Sequence, residues 1–282
     1  MGGSDWRPLR GIDQRRLSVA RLQAHHAVQW LARAARAYVP PQPDDGHTNL
    51  GWDDTFDGFT THRLKNGLRL SLKIADLTLV LHDNERTARI QSFSLDGRTD
   101  AQARQWLGEQ LRARSLDTHA LDAPSPYKMP AHTVTQGAAY AVADLADTLV
   151  ELAAWFANAE FSLLRVERQM IERKLAASDV RCWPHHFDLA TLASFPARNA
   201  DAIGAGLSPG DEYYDEPYFY VSVYPKPDSA ALPRLANLGH WHTHEFTAAV
   251  VPAHQIVMAN SQKSAAAEFL KAAIDVAIKI LR

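Results

Sequence analysis

The sequence predicts an α+β protein in which antiparallel sheets are flanked by helices, arranged as two halves of similar size. Segments with alternating apolar residues occur in groups, and turn residues rather than helices separate them. Successive parallel strands need a crossover helix between them, so grouped strands favour antiparallel pairing. The order helix, strands, helix occurs twice along the chain, which indicates a coarse repeat without a convincing residue-level match.

The first half is predicted to span residues 1–121 and to begin with an amphipathic helix. Between Asp13 and Tyr38, apolar residues recur every three or four positions, which is the spacing of one helix face. Three prolines between positions 40 and 43 end this helix. Arginines, including Arg36, fall off the apolar stripe, so we expect them on the solvated face.

Strands and a second helix complete the first half. Apolar residues alternate over 68–74, and two further alternating segments, 77–81 and 87–95, flank a turn-like stretch. This pattern predicts a hairpin. The second helix then begins with Thr99 or Asp100 as its N-cap.

The second half is predicted to span residues 139–282, after a linker at 122–138 that is rich in Pro, Ser and His. It begins with a long helix over about 140–176 and ends with a helix that begins at Gln262. The two halves are also compatible with packing as one unit. The extended segments predicted between these helices are Val180–Phe187, Ala205–Leu207, Tyr218–Tyr224 and Phe246–Val251.

Composition excludes several classes of function. A chain of 282 residues with 46% hydrophobic and 22% charged residues can bury an ordinary globular core. Its formal charge of −2 argues against a nucleic-acid binder, which needs a basic patch. The single cysteine, Cys182, fits a reducing compartment. A membrane-spanning helix needs about 18 consecutive apolar residues, and no apolar run in the sequence approaches that length. We therefore expect a cytoplasmic protein with neither nucleic acid nor membrane as a partner.

Two histidine-rich stretches raise the question of a metal site. His240, His242 and His244 alternate, so on one strand their imidazoles would share a face. Imidazole nitrogens are ligands of Zn and Fe. The alternative is a strand edge or loop with solvated histidines. Further ligands could come from the second stretch, which contains His185, His186 and Asp188.

The string "GHWHTHE" resembles the His-Thr-His core of metal-dependent isopeptidases of the JAMM type. That pattern continues with a Pro, a Ser and an Asp. Here Glu245 stands in place of the Pro, Pro252 lies near the Ser position and Gln255 near the Asp position. The resemblance therefore covers two ligands of a larger set.

Polar residues on and after the first helix form a second candidate site. His25 and Gln29 are four residues apart and share a helix face. His47 follows the proline break. Together these residues could line a polar pocket with aromatic walls, which is the usual composition of a small-molecule site. The alternative is that His25 and Gln29 fasten the helix to a loop.

The second half contributes a carboxylate and a phenolic face. Asp188 lies in the apolar stretch "FDLATL", where a carboxylate must be paired or its pKa rises. Tyr218 and Tyr220 alternate with apolar residues, so their rings share one face of a strand. Such a face can bind a ligand or pack beneath a helix. Asp188 could equally hold backbone N–H groups at a turn.

Along nearly its whole length the chain resembles a bacterial family of uncharacterised proteins, a domain of unknown function. The resemblance rests on Trp6 and Leu9, on the spacing of His25 and Gln29, and on His47. It continues with Trp183 before "FDLA", with "PYFYVSVYPKP", and with "EFTAAVVPAHQ" and "AAEFLKAAIDVA" near the end. In that family the positions of His185 and His186 are small residues and the stretch at 240–244 is not rich in histidine, and the family carries no activity that can be transferred.

The sequence therefore predicts a small-molecule ligand in a polar and aromatic pocket between the halves. It determines neither the ligand nor a cofactor, the oligomeric state, or whether the protein is an enzyme. Two alternatives stay open: a metal-dependent hydrolase that uses the histidines of 240–244, and a structural or assembly protein without a site. The predicted ligand-binding residues are His25, Gln29, His47, Trp183, Asp188, Tyr218 and Tyr220.

Overall fold

A computed structural model of the chain describes residues 5–83, 89–196, 198–235 and 238–282. These residues form two antiparallel sheets with accompanying helices, which confirms the predicted α+β class. The chain divides into two compact units of similar size. Unit 1 combines the segment up to Gln14 with Ala154–Arg181 and Asp188–Arg282, and unit 2 combines Arg15–Ala153 with Cys182–Phe187.

Unit 2 is built on a five-stranded antiparallel sheet whose strand order follows the chain. Its long helix, α1, runs from Gln14 to Tyr38, close to the predicted bounds, and a second helix, α2, covers Asp100–Arg112. The predicted linker at 122–138 lies inside this unit. The strands are β1 (Gly51–Asp53), β2 (Gly58–Thr60), β3 (Leu68–Lys73), β4 (Thr78–Asp83) and β5 (Arg89–Ser94).

The predicted hairpin is confirmed, because β4 and β5 pair in antiparallel register. Most of its turn, at 84–88, lies outside the described residues. Between β3 and β4, Leu70 pairs with Leu81 and Leu72 with Leu79, and all four side chains are fully buried. Burial of one leucine stabilises the fold by about 2 kcal/mol, so this pair of strands is the centre of the sheet's core.

The N-cap of α2 is Thr99, one of the two predicted positions. The Thr99 hydroxyl accepts a hydrogen bond from the Gln102 N–H, and the Gln102 side chain accepts one from the Thr99 N–H. Asp100 is used elsewhere: its carboxylate accepts hydrogen bonds from Trp30 Nε1 at 3.2 Å and from the Tyr140 hydroxyl at 2.9 Å. The reciprocal capping leaves Asp100 free to hold two buried rings.

Thr99→Ala is expected to lower the free energy of unfolding by about 1 kcal/mol, because the first turn of α2 loses its capping acceptor. Urea unfolding followed by circular dichroism measures this loss. Thr99→Ser retains the hydroxyl and should unfold close to the wild type. Equal losses in the two variants would show that the methyl group, and not the capping hydroxyl, stabilises this position.

Unit 1 is built on a larger antiparallel sheet, flanked by α5 (Gln262–Ile280) and part of α3 (Ala146–Glu172). The strands of the main path are β6 (Ala176–Ala177), β8 (Asp188–Phe195), β9 (Arg198–Ser208), β10 (Tyr218–Tyr224), β11 (His240–His242) and β12 (Ala248–Pro252). They lie side by side in the order β11, β12, β10, β9, β8, β6. The short strand β7 (Arg181–Trp183) lies between β6 and β8 in the sequence, and a short helix, α4 (Ala253–Val257), follows β12.

Several predicted elements of unit 1 differ from the structure. β10 and α5 agree with the prediction, whereas β9 extends well beyond Ala205–Leu207 and β8 was not predicted as a strand. The predicted extended segment Val180–Phe187 contains only the short strand β7. It then turns at Pro184, which has no N–H to donate to a strand, and Phe187 adopts a positive φ of 61°.

The apolar face of β10 packs against helix α5. Phe219 and Val221 are buried, whereas Tyr220 on the opposite face is only partly buried. Tyr218, on the same face as Tyr220, is buried as well, so both faces of β10 are covered near its beginning. In the described part of the chain, no helix combines the length and the apolar character that a membrane crossing requires.

Candidate functional site

The seven predicted ligand-binding residues fall into two sets. Asp188, Tyr218 and Tyr220 belong to unit 1, and the other four belong to unit 2. Each set makes its own contacts. That all seven line one pocket stays a prediction. The set in unit 2 consists of His25, Gln29, His47 and Trp183.

In unit 2, His25 and Gln29 converge on one carbonyl. The Pro184 oxygen accepts hydrogen bonds from His25 Nε2 at 2.9 Å and from Gln29 Nε2 at 2.8 Å. Because a carbonyl only accepts, the His25 ring must carry a proton on Nε2. Both side chains are buried in α1, so the pair fastens the turn at Pro184 to this helix.

The turn at Pro184 is held from two further sides. Cys182 and Leu50 exchange backbone hydrogen bonds at 2.8 and 2.9 Å. The Phe187 ring stacks on His25 with centroids 5.2 Å apart and meets Phe59 edge-on at 6.0 Å. These contacts fix the segment Cys182–Phe187 on unit 2, so its side chains are held in defined positions.

A cavity of about 400 Å³ opens in unit 2 beside this turn. That volume lies in the range of small-molecule sites. Two of the predicted residues, His47 and Trp183, line the cavity. Most of its other lining residues were not predicted, and they include Ala32, Arg36, Thr48, Tyr127 and His185.

Tyr127 connects the cavity to the hydrogen bonds at Pro184. Its hydroxyl donates to Gln29 Oε1 at 2.8 Å, while the Gln29 amide nitrogen donates to Pro184. Burial raises the pKa of Tyr127 to about 12. The phenol therefore keeps its proton at neutral pH, and its oxygen can still accept a hydrogen bond from a ligand.

His47 presents a hydrogen-bond donor. Its Nδ1 accepts the backbone N–H of Gln42 at 3.2 Å, which requires a neutral ring with the proton on Nε2. The ring is 5% exposed and lines the cavity. His47 is thus oriented by the chain that follows α1, and its Nε2–H can donate to a ligand.

Arg36 brings a positive charge with few partners. It was expected on the solvated face of α1, but its side chain is only partly exposed and its Nε atom is buried without a hydrogen-bond partner among the described residues. Its guanidinium donates one long hydrogen bond, from Nη1 to the Pro124 carbonyl at 3.4 Å. Burial lowers the pKa of Arg36, although Tyr127 and Asp45 act in the opposite direction.

The segment 122–132 explains why this face of α1 is covered. His26 Nε2 lies 3.0 Å from the Pro130 carbonyl, and Tyr127 reaches Gln29 as described above. These contacts place a stretch that was predicted as a linker over the helix. The arginine at position 36 is therefore partly covered, and it lines a cavity.

Two exposed carboxylates, Asp44 and Asp45, line the same cavity. Asp44 Oδ1 accepts the Gly46 N–H at 3.0 Å. Asp45 has a left-handed backbone, with φ 57°, and its side chain does not cap the short helical turn that follows. Within the part of the chain that the structure describes, neither carboxylate forms an ion pair.

Aromatic rings form the remaining walls. Trp183 meets His185 edge-on with centroids 6.0 Å apart, and Tyr127 lies 5.5 Å from His185. Burial lowers the pKa of His185, and so does the neighbouring His186, while Asp45 raises it. The rings offer a surface against which a flat molecule can stack.

The predicted residues of unit 1 form a separate polar cluster. The Tyr220 hydroxyl donates to Asp188 Oδ2 at 2.5 Å, and Tyr218 donates to Asp211. Tyr220 reaches Asp188 by crossing β9 over Gly206, where a Cβ atom would lie 2.6 Å from the phenol ring. Asp188 is thus paired with a phenol, which meets the requirement inferred from its apolar surroundings.

The histidine-rich strand is shorter than a three-histidine face would need. β11 ends at His242, and Glu245 then has a φ of 62°. The Tyr214 oxygen lies 2.9 Å from His240 Nε2 and 3.1 Å from His242 Nδ1, while His242 Nε2 bonds to the His244 carbonyl at 2.7 Å. Across the described residues, no three His, Cys, Asp or Glu side chains are grouped to hold a metal ion.

No family model, no curated protein and no solved structure matches this chain. Chemical roles can therefore be assigned only from the residues themselves. Of the two predicted sets, the one in unit 2 adjoins a cavity that contains charge, hydrogen-bond donors and aromatic walls.

Proposed function

We propose that unit 2 binds a small organic anion with a flat, apolar body in the cavity beside Pro184. The observation that carries the proposal is Arg36: a partly buried guanidinium lines the cavity and has no carboxylate partner among the described residues. A buried charge without a counter-charge is costly, so natural sites keep one mainly where something pairs with it. A ligand carboxylate would supply that partner.

We assign the contact with the ligand to the outer nitrogens of Arg36. Nε is closed to solvent, so a ligand would meet the Nη atoms, which can bind two carboxylate oxygens at once. Hydrogen bonds to charged groups contribute about 1.5–3 kcal/mol each. This interaction would therefore provide a large share of the affinity of a small ligand.

The neutral groups would orient the body of the ligand. The Nε2–H of His47 can donate, the Tyr127 oxygen can accept, and the rings of Trp183 and His185 can stack on a planar group. Tyr127 holds its proton at neutral pH because its pKa is about 12. We therefore assign these residues binding roles and propose no reaction.

We also propose that the chain is a member of the uncharacterised bacterial family that it resembles. In support, four residues that carry the resemblance gather at one place in unit 2. His25 and Gln29 hold the turn at Pro184, while His47 and Trp183 line the adjoining cavity. A cytoplasmic location is part of the same proposal, supported by the single, buried cysteine.

Arg36→Gln is expected to weaken the binding of small aromatic carboxylates by about tenfold to a hundredfold, because it removes the charge that pairs with the carboxylate. Isothermal titration calorimetry with 3-phenylpropanoate, indole-3-acetate and phenylalanine measures the affinities. The same substitution should leave the free energy of unfolding unchanged or raise it, since an unpaired, partly buried charge is removed.

Arg33→Gln is the matched control. Arg33 lies one turn earlier on α1, its guanidinium stacks on Trp30 at 4.5 Å, and it does not line the cavity. The Arg33→Gln variant loses one positive charge from the same helix and should bind the carboxylates as tightly as the wild type does. The proposal fails if none of the three carboxylates binds the wild type, or if both variants lose affinity equally.

A further inference from the structure

The cavity of unit 2 contains charges of both signs that do not pair with each other. Arg36 lines it together with Asp44 and Asp45. No ion pair within 4.0 Å joins the guanidinium to either carboxylate in the described part of the chain. The charges do interact at longer range, because Asp45 raises the pKa of Arg36 and of His185.

The backbone keeps Arg36 and the two aspartates in separate positions. Arginine and aspartate side chains that can meet at a surface readily close a hydrogen-bonded pair. Here Arg36 is held on α1 under the segment that includes Pro124, and Asp45 is held by a left-handed backbone at the entrance of a short helical turn. The cavity is therefore lined by a positive charge at Arg36 and by negative charges at Asp44 and Asp45 that no ion pair joins to it in the described part of the chain.

A plain carboxylate fits only half of this arrangement. It would pair with Arg36 but would also enter a space that two aspartates line, and their negative charges would repel it. A plain amine faces the opposite conflict with Arg36. A molecule with one negative and one positive group, separated by a short spacer, satisfies both sides.

We infer that the ligand is a small zwitterion of the aromatic amino-acid class, with its carboxylate at Arg36, its ammonium at Asp44 and Asp45, and its ring against Trp183, Tyr127 and His185. This inference rests on the proposed function, because it assigns the ligand class of the same cavity. The cavity volume of about 400 Å³ accommodates such a molecule.

Three probes that share a phenyl ring and have similar lengths test the inference. They are phenylalanine, which is a zwitterion, 3-phenylpropanoate, which lacks the ammonium, and phenethylamine, which lacks the carboxylate. Calorimetry on the full chain at low salt measures each affinity. Phenylalanine is expected to bind about tenfold more tightly than either of the others, because 3-phenylpropanoate lacks the ammonium that the aspartates attract and phenethylamine lacks the carboxylate that pairs with Arg36.

The double variant Asp44→Asn, Asp45→Asn tests the role of the carboxylates. It should bind phenylalanine about tenfold more weakly and 3-phenylpropanoate more tightly than the wild type does, so the preference disappears. Asp144→Asn is the control, because Asp144 is exposed and does not line the cavity. The single substitution should leave the preference for phenylalanine in place.

The outcomes separate this inference from the proposed function. If 3-phenylpropanoate binds as tightly as phenylalanine and Arg36→Gln still abolishes binding, the anion site stands and the zwitterion inference is overturned. If phenethylamine binds most tightly, or if no probe binds, both are overturned. A preference for phenylalanine that the double variant removes supports both.

Discussion

Gly58→Ala is expected to lower the free energy of unfolding by about 3 kcal/mol, at the upper end of the usual cost of overpacking. Gly58 lies on β2 opposite Lys73 of β3. A Cβ atom at this position would lie 1.9 Å from the Leu72 carbonyl oxygen and 2.9 Å from the Lys73 Cα atom. Both are backbone atoms, so the clash can be relieved only if β2 moves away from β3.

The same substitution should also weaken ligand binding, because β2 supports the turn at Pro184. Phe59, the next residue on β2, meets the Phe187 ring, and Phe187 stacks on His25, which holds Pro184. A displaced β2 would loosen this series of contacts. Urea unfolding measures the stability, and calorimetry with phenylalanine measures the affinity.

Gly108→Ala provides the matched control. Gly108 lies inside α2, and the atoms that a Cβ would meet are side-chain ends, namely those of Arg112 and of Arg104, whose exposed ion pair with Asp122 would have to shift. Alanine is favoured over glycine within a helix by about 1 kcal/mol. The control variant should therefore be as stable as the wild type or more so. If both variants unfold at the same urea concentration, the expected clash at Gly58 does not destabilise the fold.

Elements with a clear apolar period could be predicted from the sequence, whereas a strand that contains glycines could be predicted only in part. α1, α5 and β10 repeat apolar side chains at the helix or strand spacing, and many of those in the two helices are alanines. β9 contains Gly204 and Gly206, which are poor strand formers in isolation. Ser222 and Tyr220 of β10 occupy the space above these glycines, so the packing of β9 depends on the side chains of the neighbouring strand.

One local repeat escaped the comparison of the two halves. The spacing Trp-x-x-x-Phe-Asp occurs at 52–57 and again at 183–188. In both places a three-residue strand is followed by a four-residue turn and then by the next strand of the chain, although Trp52 is the middle residue of its strand and Trp183 is the last residue of its own. The match involves only three residues, which is too few to detect without knowledge of where the strands begin and end.

The candidate site could be predicted only in part, because its contacts are distant in the sequence. The spacing of His25 and Gln29 indicated a shared helix face, but their common partner, Pro184, is 159 residues away from His25. Arg36 and Tyr127 were missed for a related reason. The segment that covers Arg36 has no periodicity, and single hydrogen bonds to proline carbonyls attach it to α1.

His25 is expected to make the protein less stable in mild acid. Burial, the largest cause, lowers the pKa of His25 from its ordinary value of 6.5 to about 4, and the neighbouring His26 acts in the same direction. The hydrogen bond to the Pro184 carbonyl opposes this shift but does not overcome it. The folded protein therefore keeps the ring neutral at a pH where the unfolded chain has protonated it.

The sign of the effect follows from counting protons in the two states. Between pH 6.5 and about 4 the unfolded chain binds more protons at His25 than the folded protein does, so a falling pH favours unfolding. Each unit of pH in this window costs about 1.4 kcal/mol. Between pH 7.5 and pH 5, His25 alone should therefore remove about 2 kcal/mol from the free energy of unfolding.

The variant His25→Gln isolates this contribution. Its amide can still donate to the Pro184 carbonyl, but it cannot take up a proton. It should lose about 2 kcal/mol less than the wild type when urea unfolding is compared at pH 7.5 and pH 5. His26→Gln is the control, because His26 is near the same turn and burial lowers its pKa as well, to a smaller degree.

The comparison between variants is needed because other histidines act in the same direction. The pKa values of His82, His132, His185 and His240 are also lowered by burial, so the wild type should lose more stability in acid than His25 alone explains. An equal acid loss in the wild type and in His25→Gln would show that His25 titrates at its ordinary pKa. In the folded protein His25 takes up its proton only near its pKa of about 4, where the charge would lie beside the stacked Phe187 ring under the turn at Pro184, so any loss of ligand affinity caused by this residue should begin only near pH 4.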